Sequence, residues 1–433
     1  MLTYYSRLAL RSFRRNKVLT ALMVLAIALG IGACMTTLTV FKVLSGDPIP
    51  EKSDRLFYVQ LDPESLRGFT PGQEPAAQVT RFDAETLLRE KRGLRQAMMT
   101  GGAVSITPEQ ADSPPFFSDA RYASADFFAM FAAPFLHGAG WTPADDDASA
   151  RVAVISKSLN DRVFGGANSV GRPLMIGGNA FRVAGVLEEW RPTPRFYDMN
   201  SDRYGELEDV FLPFSTSRAL DFSRIGSMDC WGDGNPDQTG LNAPCVWIQY
   251  WVELEDASKA ADYKAYLDNY SAQQKAAGRF ERDPNVRLRN VMDWLDFNNV
   301  VPRDVMMQLW LGFGFLLVCL LNTVGLLLAK FLRRSGEIGV RRALGASRTE
   351  IFKQCLVEAG AVGLAGGILG LGLALLGLWA VRQQPSSYAE LAQLALPMLL
   401  TTFLLAVAAS IIAGLLPAWR AMDVTPAIQL KSQ

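Results

Sequence analysis

The chain has 433 residues, 49% of them hydrophobic and only 20% charged, where a soluble protein of this length carries about a quarter charged residues. Forty-three basic residues balance 43 acidic ones, so no global field points to nucleic acid or to an acidic substrate. The single histidine, His137, argues against a histidine-rich metal site or a His-based triad, and no G-x-x-x-x-G-K-[ST] run supplies a P-loop.

In chain order, residues 2–17 predict an amphipathic helix at a membrane interface. Arg7, Arg11 and Arg14 are spaced for one face, and Leu2, Tyr5, Leu8 or Ala9, and Phe13 for another. Four uncharged apolar stretches follow, at 18–41, 305–329, 359–381 and 391–419. Each meets the roughly 20 helical residues needed to cross a hydrocarbon core about 30 Å thick. Ile31-Gly32-Ala33-Cys34 resembles a lipoprotein cleavage site, but the apolar run continues through Val40, so the segment reads as a retained span. Arg7, Arg11, Arg14, Arg15 and Lys17 precede the first span. Lys330, Arg333, Arg334, Arg341, Arg342, Arg348 and Lys353 lie between the second and third, against Glu337 and Glu350. The third-to-fourth connection holds only Arg382 and Glu390. Lysine and arginine excess marks the cytoplasmic side. The threading expected is therefore both termini and the 331–358 loop inside, with residues 45–304 outside. The predicted order is an interfacial helix (1–17), spans at 18–44, 305–330, 359–381 and 391–419, a short outer loop at 382–390 and an inner tail at 420–433.

Within the outer domain, 55–61 and 97–106 read as strands around a helix at 81–92. The 245–254 stretch alternates, with Val246, Ile248, Tyr250, Val252 and Leu254 on one face and Gln249, Glu253 and two tryptophans on the other. A polar helix at 257–277 and a strand at 285–291 follow. Two β-α-β units predict a split βαβ sheet, 45–110 with 245–304, carrying an inserted lobe at 111–244. In that lobe 151–155 predicts a strand and Ser156 caps a helix ending at Gly165-Gly166. Gly177-Gly178-Asn179 predicts a hairpin. The 190–209 stretch, rich in Pro, Arg, Asp and Tyr, predicts an exposed loop. Asp145-Asp146-Asp147 reads as a solvated turn rather than an acidic active site. Cys34, Cys319 and Cys355 fall in or beside spans. Cys230 and Cys245 lie outside, and an oxidising compartment would let them pair; two independent thiols are the alternative.

The connection between the second and third spans is the most informative segment. Residues 333–346 predict a short helix carrying Ile338, Arg341, Arg342 and Leu344 and ended near Gly345. Ser347 with Glu350 then forms a capping box leading into the third span. A mixed apolar and cationic knob beside the membrane can dock into a groove on a soluble partner. Fixing topology and binding anionic headgroups is the plainer use of its arginines. The third span carries Gly363/Gly367 and Gly366/Gly370, pairs four apart that allow close backbone approach, either within the chain or between subunits.

The run Glu337-Ile338-Gly339-Val340-Arg341-Arg342-Ala343-Leu344-Gly345-Ala346-Ser347 resembles the ATPase-coupling region of MacB-type ABC transporter permeases and their FtsX-like and lipoprotein-releasing relatives. Gly414-Leu415-Leu416-Pro417-Ala418-Trp419-Arg420-Ala421 with Thr425-Pro426-Ala427 is similar to that family's C-terminal signature, although Ile428-Gln429 departs from it. Residues 152–187 resemble its periplasmic core domain. The resemblance implies an α-helical membrane protein with four spans and an α+β periplasmic domain, sited in the cell inner membrane. The two β-α-β halves would form its porter-like subdomain. It also implies coupling to a separate ABC ATPase through Glu337, Ile338, Gly339, Arg341, Arg342, Leu344, Gly345 and Ala346. ATP and magnesium would sit on that partner, and this chain would need no cofactor and carry out no catalysis. A second permease is expected, identical or paralogous, with an adaptor and an outer-membrane channel completing a tripartite exporter. The alternatives within the resemblance are a regulator of a cell-wall hydrolase and a lipoprotein-releasing subunit.

Overall fold

In a computed structural model of the chain, residues 17–108, 114–201, 203–232, 237–384 and 396–423 are described. All but Lys17 of the interfacial helix expected at 2–17, most of the outer loop at 382–390, and the Thr425-Pro426-Ala427 end of the C-terminal signature lie outside them. The chain divides into two compact units, one from Met1–Ser45 and Val301–Gln433, the other from Gly46–Val300.

The first helix, α1, spans Lys17–Ser45. The α/β unit follows with β1 (Leu56–Gln60), β2 (Val79–Thr80), α2 (Arg81–Glu90) and β3 (Arg95–Thr107). The Thr80 hydroxyl accepts the Asp83 amide to start α2, and Lys91 in the left-handed region ends it. Next come β4 (Phe116–Ala123), α3 (Phe127–Met130), β5 (Phe135–Gly138), α4 (Pro143–Asp147) and β6 (Val152–Ile155). These lead to α5 (Lys157–Phe164), β7 (Pro173–Ile176), β8 (Asn179–Leu187), β9 (Val210–Pro213) and α6 (Phe214–Ala219). Short strands β10 (Arg224–Ile225) and β11 (Asp229–Cys230) precede β12 (Cys245–Glu253), α7 (Ala260–Ala276), β13 (Arg287–Asn290) and α8 (Val291–Phe297). Ser156 caps α5 and Gly165 ends it at φ 65°. Gly177 and Gly178, both at positive φ, turn β7 into β8.

The sheet runs β13-β1-β12-β3-β4-β9-β6-β8-β5. Its first four strands are antiparallel neighbours, with β12 between β1 and β3 and β1 between β12 and β13. That is the split βαβ arrangement. The inserted lobe shares this sheet, because β3 is 13 residues long. Its first part pairs with β12, and Met99–Ile106 pairs with β4. Cys230 and Cys245 form a disulfide across the β11–β12 pair.

Every residue of β12 is buried. The alternation along it therefore separates two cores. Ile248, Tyr250 and Val252 join Ala84 and Leu87 of α2 and Tyr263 and Leu267 of α7. Gln249 and Trp251 face the 190–209 segment, with Gln249 Nε2 at 3.1 Å from Asp198 and the Trp251 indole at 3.3 Å from the Tyr197 carbonyl.

That segment corrects the exposed loop expected from its composition. Phe196, Tyr197, Met199 and Tyr204 are buried, and Tyr197 lies among Phe127, Phe131 and Trp190. Its charges go inside because they meet opposite charges there. Arg121, 1% exposed on β4, reaches Asp198 at 2.6 Å and also pairs with Glu208, which takes Arg195 at 3.2 Å. Burial works against ionisation of Asp198 and Glu208, but the Arg121 charge overrides it and holds both carboxyls below their ordinary range.

The Asp145–Asp147 run forms part of a short helix, α4, rather than a turn; a capping box between Thr142 and Asp145 starts it, none of its residues is fully buried, and Asp147 is exposed. The run's middle residue, Asp146, is half-buried, accepting the Ala125 amide at 2.6 Å and the Trp141 indole at 2.9 Å.

The helical unit comprises α1, α9 (Arg303–Arg333), α10 (Ser335–Ala343), α11 (Arg348–Arg382) and α12 (Leu396–Met422). All but α10 are long and apolar enough to cross a membrane. The third of these, α11, begins 11 residues before the apolar run that predicted it, because Ser347 and Glu350 cap it ahead of the uncharged stretch. Four glycines of α11, the pairs spaced four apart, serve packing within the chain, on two faces. A Cβ on Gly363 would run into Ser410 of α12, and one on Gly366 would meet Ile27 of α1 at 2.6 Å. Gly367 and Gly370 repeat those approaches toward Ala406 and toward Ala28 and Ile31.

Candidate functional site between the second and third spans

The site is built by two breaks in an otherwise continuous helical path. Arg334, at φ −104° and ψ 11°, interrupts the helix between α9 and α10. Gly345, at φ +104°, then turns the chain back, a conformation that glycine adopts without steric cost. The Ser347 hydroxyl accepts the Glu350 amide at 3.2 Å, and the Glu350 carboxylate accepts the Ser347 amide at 2.9 Å. This capping box restarts the helix as α11.

Between the breaks, α10 and its C-cap Leu344 present two different faces. Ile338 packs against the apolar core of the bundle, as Ala346 does just past Gly345, and Gly339 is buried. Glu337 links to Arg334 at 3.4 Å and to Arg341 at 2.9 Å. Arg341 also donates to Gln354 of α11 at 3.0 Å, and Arg342 donates to the Met422 carbonyl of α12 at 3.2 Å. The space enclosed by Phe331, Glu337, Ile338, Gln354 and Glu358 is only about 10 Å³. The opposite face carries Val340, 55% exposed, and Leu344, 83% exposed.

The residues predicted as one docking knob thus separate. Glu337, Ile338, Gly339, Arg341, Arg342 and Ala346 turn toward the bundle or pair with it, while Leu344 and Gly345 stay exposed. Sequence reasoning missed Val340, whose position four residues before Leu344 places both on one helical face. It also missed the buried partnership of Lys330 with Glu358, because Lys330 served there only as a marker of orientation.

The profile of the MacB-like periplasmic core domain matches residues 20–270, and that of the FtsX-like permease C-terminal region matches residues 310–426. A pyoverdine export ATP-binding/permease protein, PvdT of Pseudomonas putida, is 24% identical over 424 residues, covering 96% of this chain and 58% of that protein. A macrolide export ATP-binding/permease protein, MacB of Azoarcus sp. (strain BH72), is 24% identical over 436 residues, covering 99% of this chain and 59% of that protein. The chain therefore spans about three fifths of the length of these relatives. Among solved structures, the periplasmic region of MacB from Actinobacillus actinomycetemcomitans matches at 14% identity and a TM-score of 0.36, covering 58% of this chain and 94% of that one. The extracellular domain of the transporter YknZ from Gram-positive bacteria matches at 14% identity and a TM-score of 0.34, covering 54% of this chain and 100% of that one.

Four apolar helices long enough to cross a membrane, a split βαβ unit that falls between the first and second of them in the chain, and a short helix between the second and third define an α-helical membrane protein with an α/β domain. With both profiles matched in order along it, the chain belongs to the MacB/FtsX-like family of ABC transporter permeases.

Proposed function

We propose that this chain is the permease of an exporter, driven by an ABC ATPase that docks on the exposed edge of α10. The observation that carries the reading is the two-faced character of α10. Val340 and Leu344 are bare, while Glu337, Ile338 and Arg341 are tied to the spans. An ATPase gripping the bare edge would pull on the bundle through the tied one. The excess of lysine and arginine around α10 supports a cytoplasmic position for this edge and a periplasmic one for residues 46–300, as in an inner-membrane protein.

ATP and magnesium belong to the partner in this reading, and the chain's own residues transmit movement. A second permease packs along α9. There Met307, Trp310, Leu311, Leu317, Val318 and Leu321 form an exposed apolar stripe around Gly314, whose Cβ position is open. An adaptor and an outer-membrane channel would complete the route. The relatives named for pyoverdine and macrolide support export as the class of activity.

The test is co-purification in detergent with ATPases encoded beside this chain. Wild type should carry one in stable complex. Leu344→Asp should reduce the bound ATPase by about tenfold, the loss that one buried apolar contact replaced by a charge produces, with an unchanged unfolding temperature. Equal binding by wild type and Leu344→Asp would remove α10 as the docking element. No binding by wild type would remove the energy source.

A further inference from the structure

Lys330 on α9 is fully buried, and Glu358 on α11 is only 3% exposed. Their Nζ and Oε1 atoms are 2.5 Å apart. The second carboxylate oxygen of Glu358 receives Arg334 Nη1 at 3.0 Å. From Arg334 the ionic series runs outward through Glu337 to Arg341 and Gln354. On its inner side Lys330 donates to Thr20 Oγ1 of α1 at 3.4 Å. One carboxylate thus joins α1, α9 and α11 to the residue at which α9 breaks into α10.

Buried ion pairs add little net stability over apolar residues of similar size, so stability alone does not account for this one. Its geometry does something that apolar packing would not. A helix of nine residues is marginal by itself, and α10 is bounded by two swivels, Arg334 and Gly345. Its apolar purchase on the bundle is Ile338. Without the ionic series, Ile338 and the Arg342 bond to the Met422 carbonyl of α12 would still hold α10, but its tie to the carboxylate that joins α1, α9 and α11 would be gone.

We propose that Glu358 is a positioning residue for force transmission. Anchored by Lys330, it grips Arg334 and makes α10 move with α1, α9 and α11 as one body. Glu358 and Lys330 touch no ATPase and no substrate; they act through Arg334 and Glu337. The proposal rests on the reading of α10 as the ATPase-docking helix, but its mechanical part is measurable without an ATPase.

The experiment is hydrogen exchange on the full chain in detergent, following amides of 335–346 against bundle peptides from 306–325 and 360–378. Lys330→Met/Glu358→Gln removes both charges together, and Arg334→Gln leaves the buried pair in place. Both should speed exchange across α10 by about tenfold while bundle peptides keep their rates. The Arg334→Gln result decides the matter if the double variant does not fold. Where the ATPase co-purifies, the double variant should still bind it yet lose the difference between ATP and ADP in bundle exchange that wild type shows. Unchanged α10 exchange in Arg334→Gln, faster exchange spread over the bundle, or a retained nucleotide response would each overturn the proposal. Absence of an ATPase from wild type would count against the docking reading alone, with the α10 rates still deciding the anchoring.

Discussion

The carboxyl of Asp146 accepts two hydrogen bonds, from the Ala125 amide and the Trp141 indole. Both favour its ionised form, yet burial outweighs them and pushes its pKa from 3.8 to about 7. The folded protein therefore binds a proton that the unfolded chain has already lost between about pH 4 and pH 7. Stability from this site is fully present below pH 4 and declines as pH rises through 7. For a sealed group that would amount to about 4 kcal/mol; partial access to solvent brings it to about 2 kcal/mol. Asp146→Asn should flatten the fall in unfolding temperature between pH 5 and pH 8, and an identical slope in the variant would rule Asp146 out as its source. In α11 the same scale separates two kinds of glycine. Gly363→Val drives a side chain into Ser410 and should cost about 1–3 kcal/mol in a detergent unfolding assay. Gly372→Val has nothing within 4 Å to meet and should be nearly silent. Equal effects at the two positions would refute the packing described for this helix.

The 190–209 segment and α10 are elements whose roles come from their charged partners. The segment carries Asp198 and Glu208 into a core already filled with aromatic rings, and Arg121 is what makes their burial tolerable. Arg121→Met leaves buried carboxylates short of a cation and should destabilise the α/β unit by about 3–5 kcal/mol, read from tryptophan fluorescence in denaturant. A loss under about 1 kcal/mol would mean that the segment is held by its aromatic residues alone. Composition points to an exposed loop here because proline, arginine and aspartate, taken singly, favour solvent. The cation that brings these acids inside lies 77 residues from Asp198 and 87 from Glu208. For α10 the local signals were sound, since Gly345 and the Ser347–Glu350 box bound it as read. The direction of each side chain was not legible. Arg341 and Leu344 are both candidates for a docking surface until Gln354 and Glu337 claim the former.

At the level of the molecule, two units arise from one chain because its apolar residues fall into two patterns. Long uncharged runs have the length and composition of spans, and alternating or capped runs between them build a sheet flanked by helices. Those patterns are local, covering a few residues to a few turns. The four spans, the order of strands and helices, the cap at Ser156 and the hairpin at Gly177-Gly178 could therefore be read from the residues directly. The split βαβ order followed from two β-α-β repeats on either side of an insertion. Whether the insertion stood apart did not follow, and β3 answers it by being long enough to pair with β12 at one end and β4 at the other. Likewise the glycine spacing in α11 announced a close approach without naming its partner, and packing chose α1 and α12. Periodicity and caps record what each stretch does with its own neighbours. Which buried carboxylate meets which cation, Asp198 with Arg121 or Glu358 with Lys330, depends on distances that exist only after the chain has closed on itself.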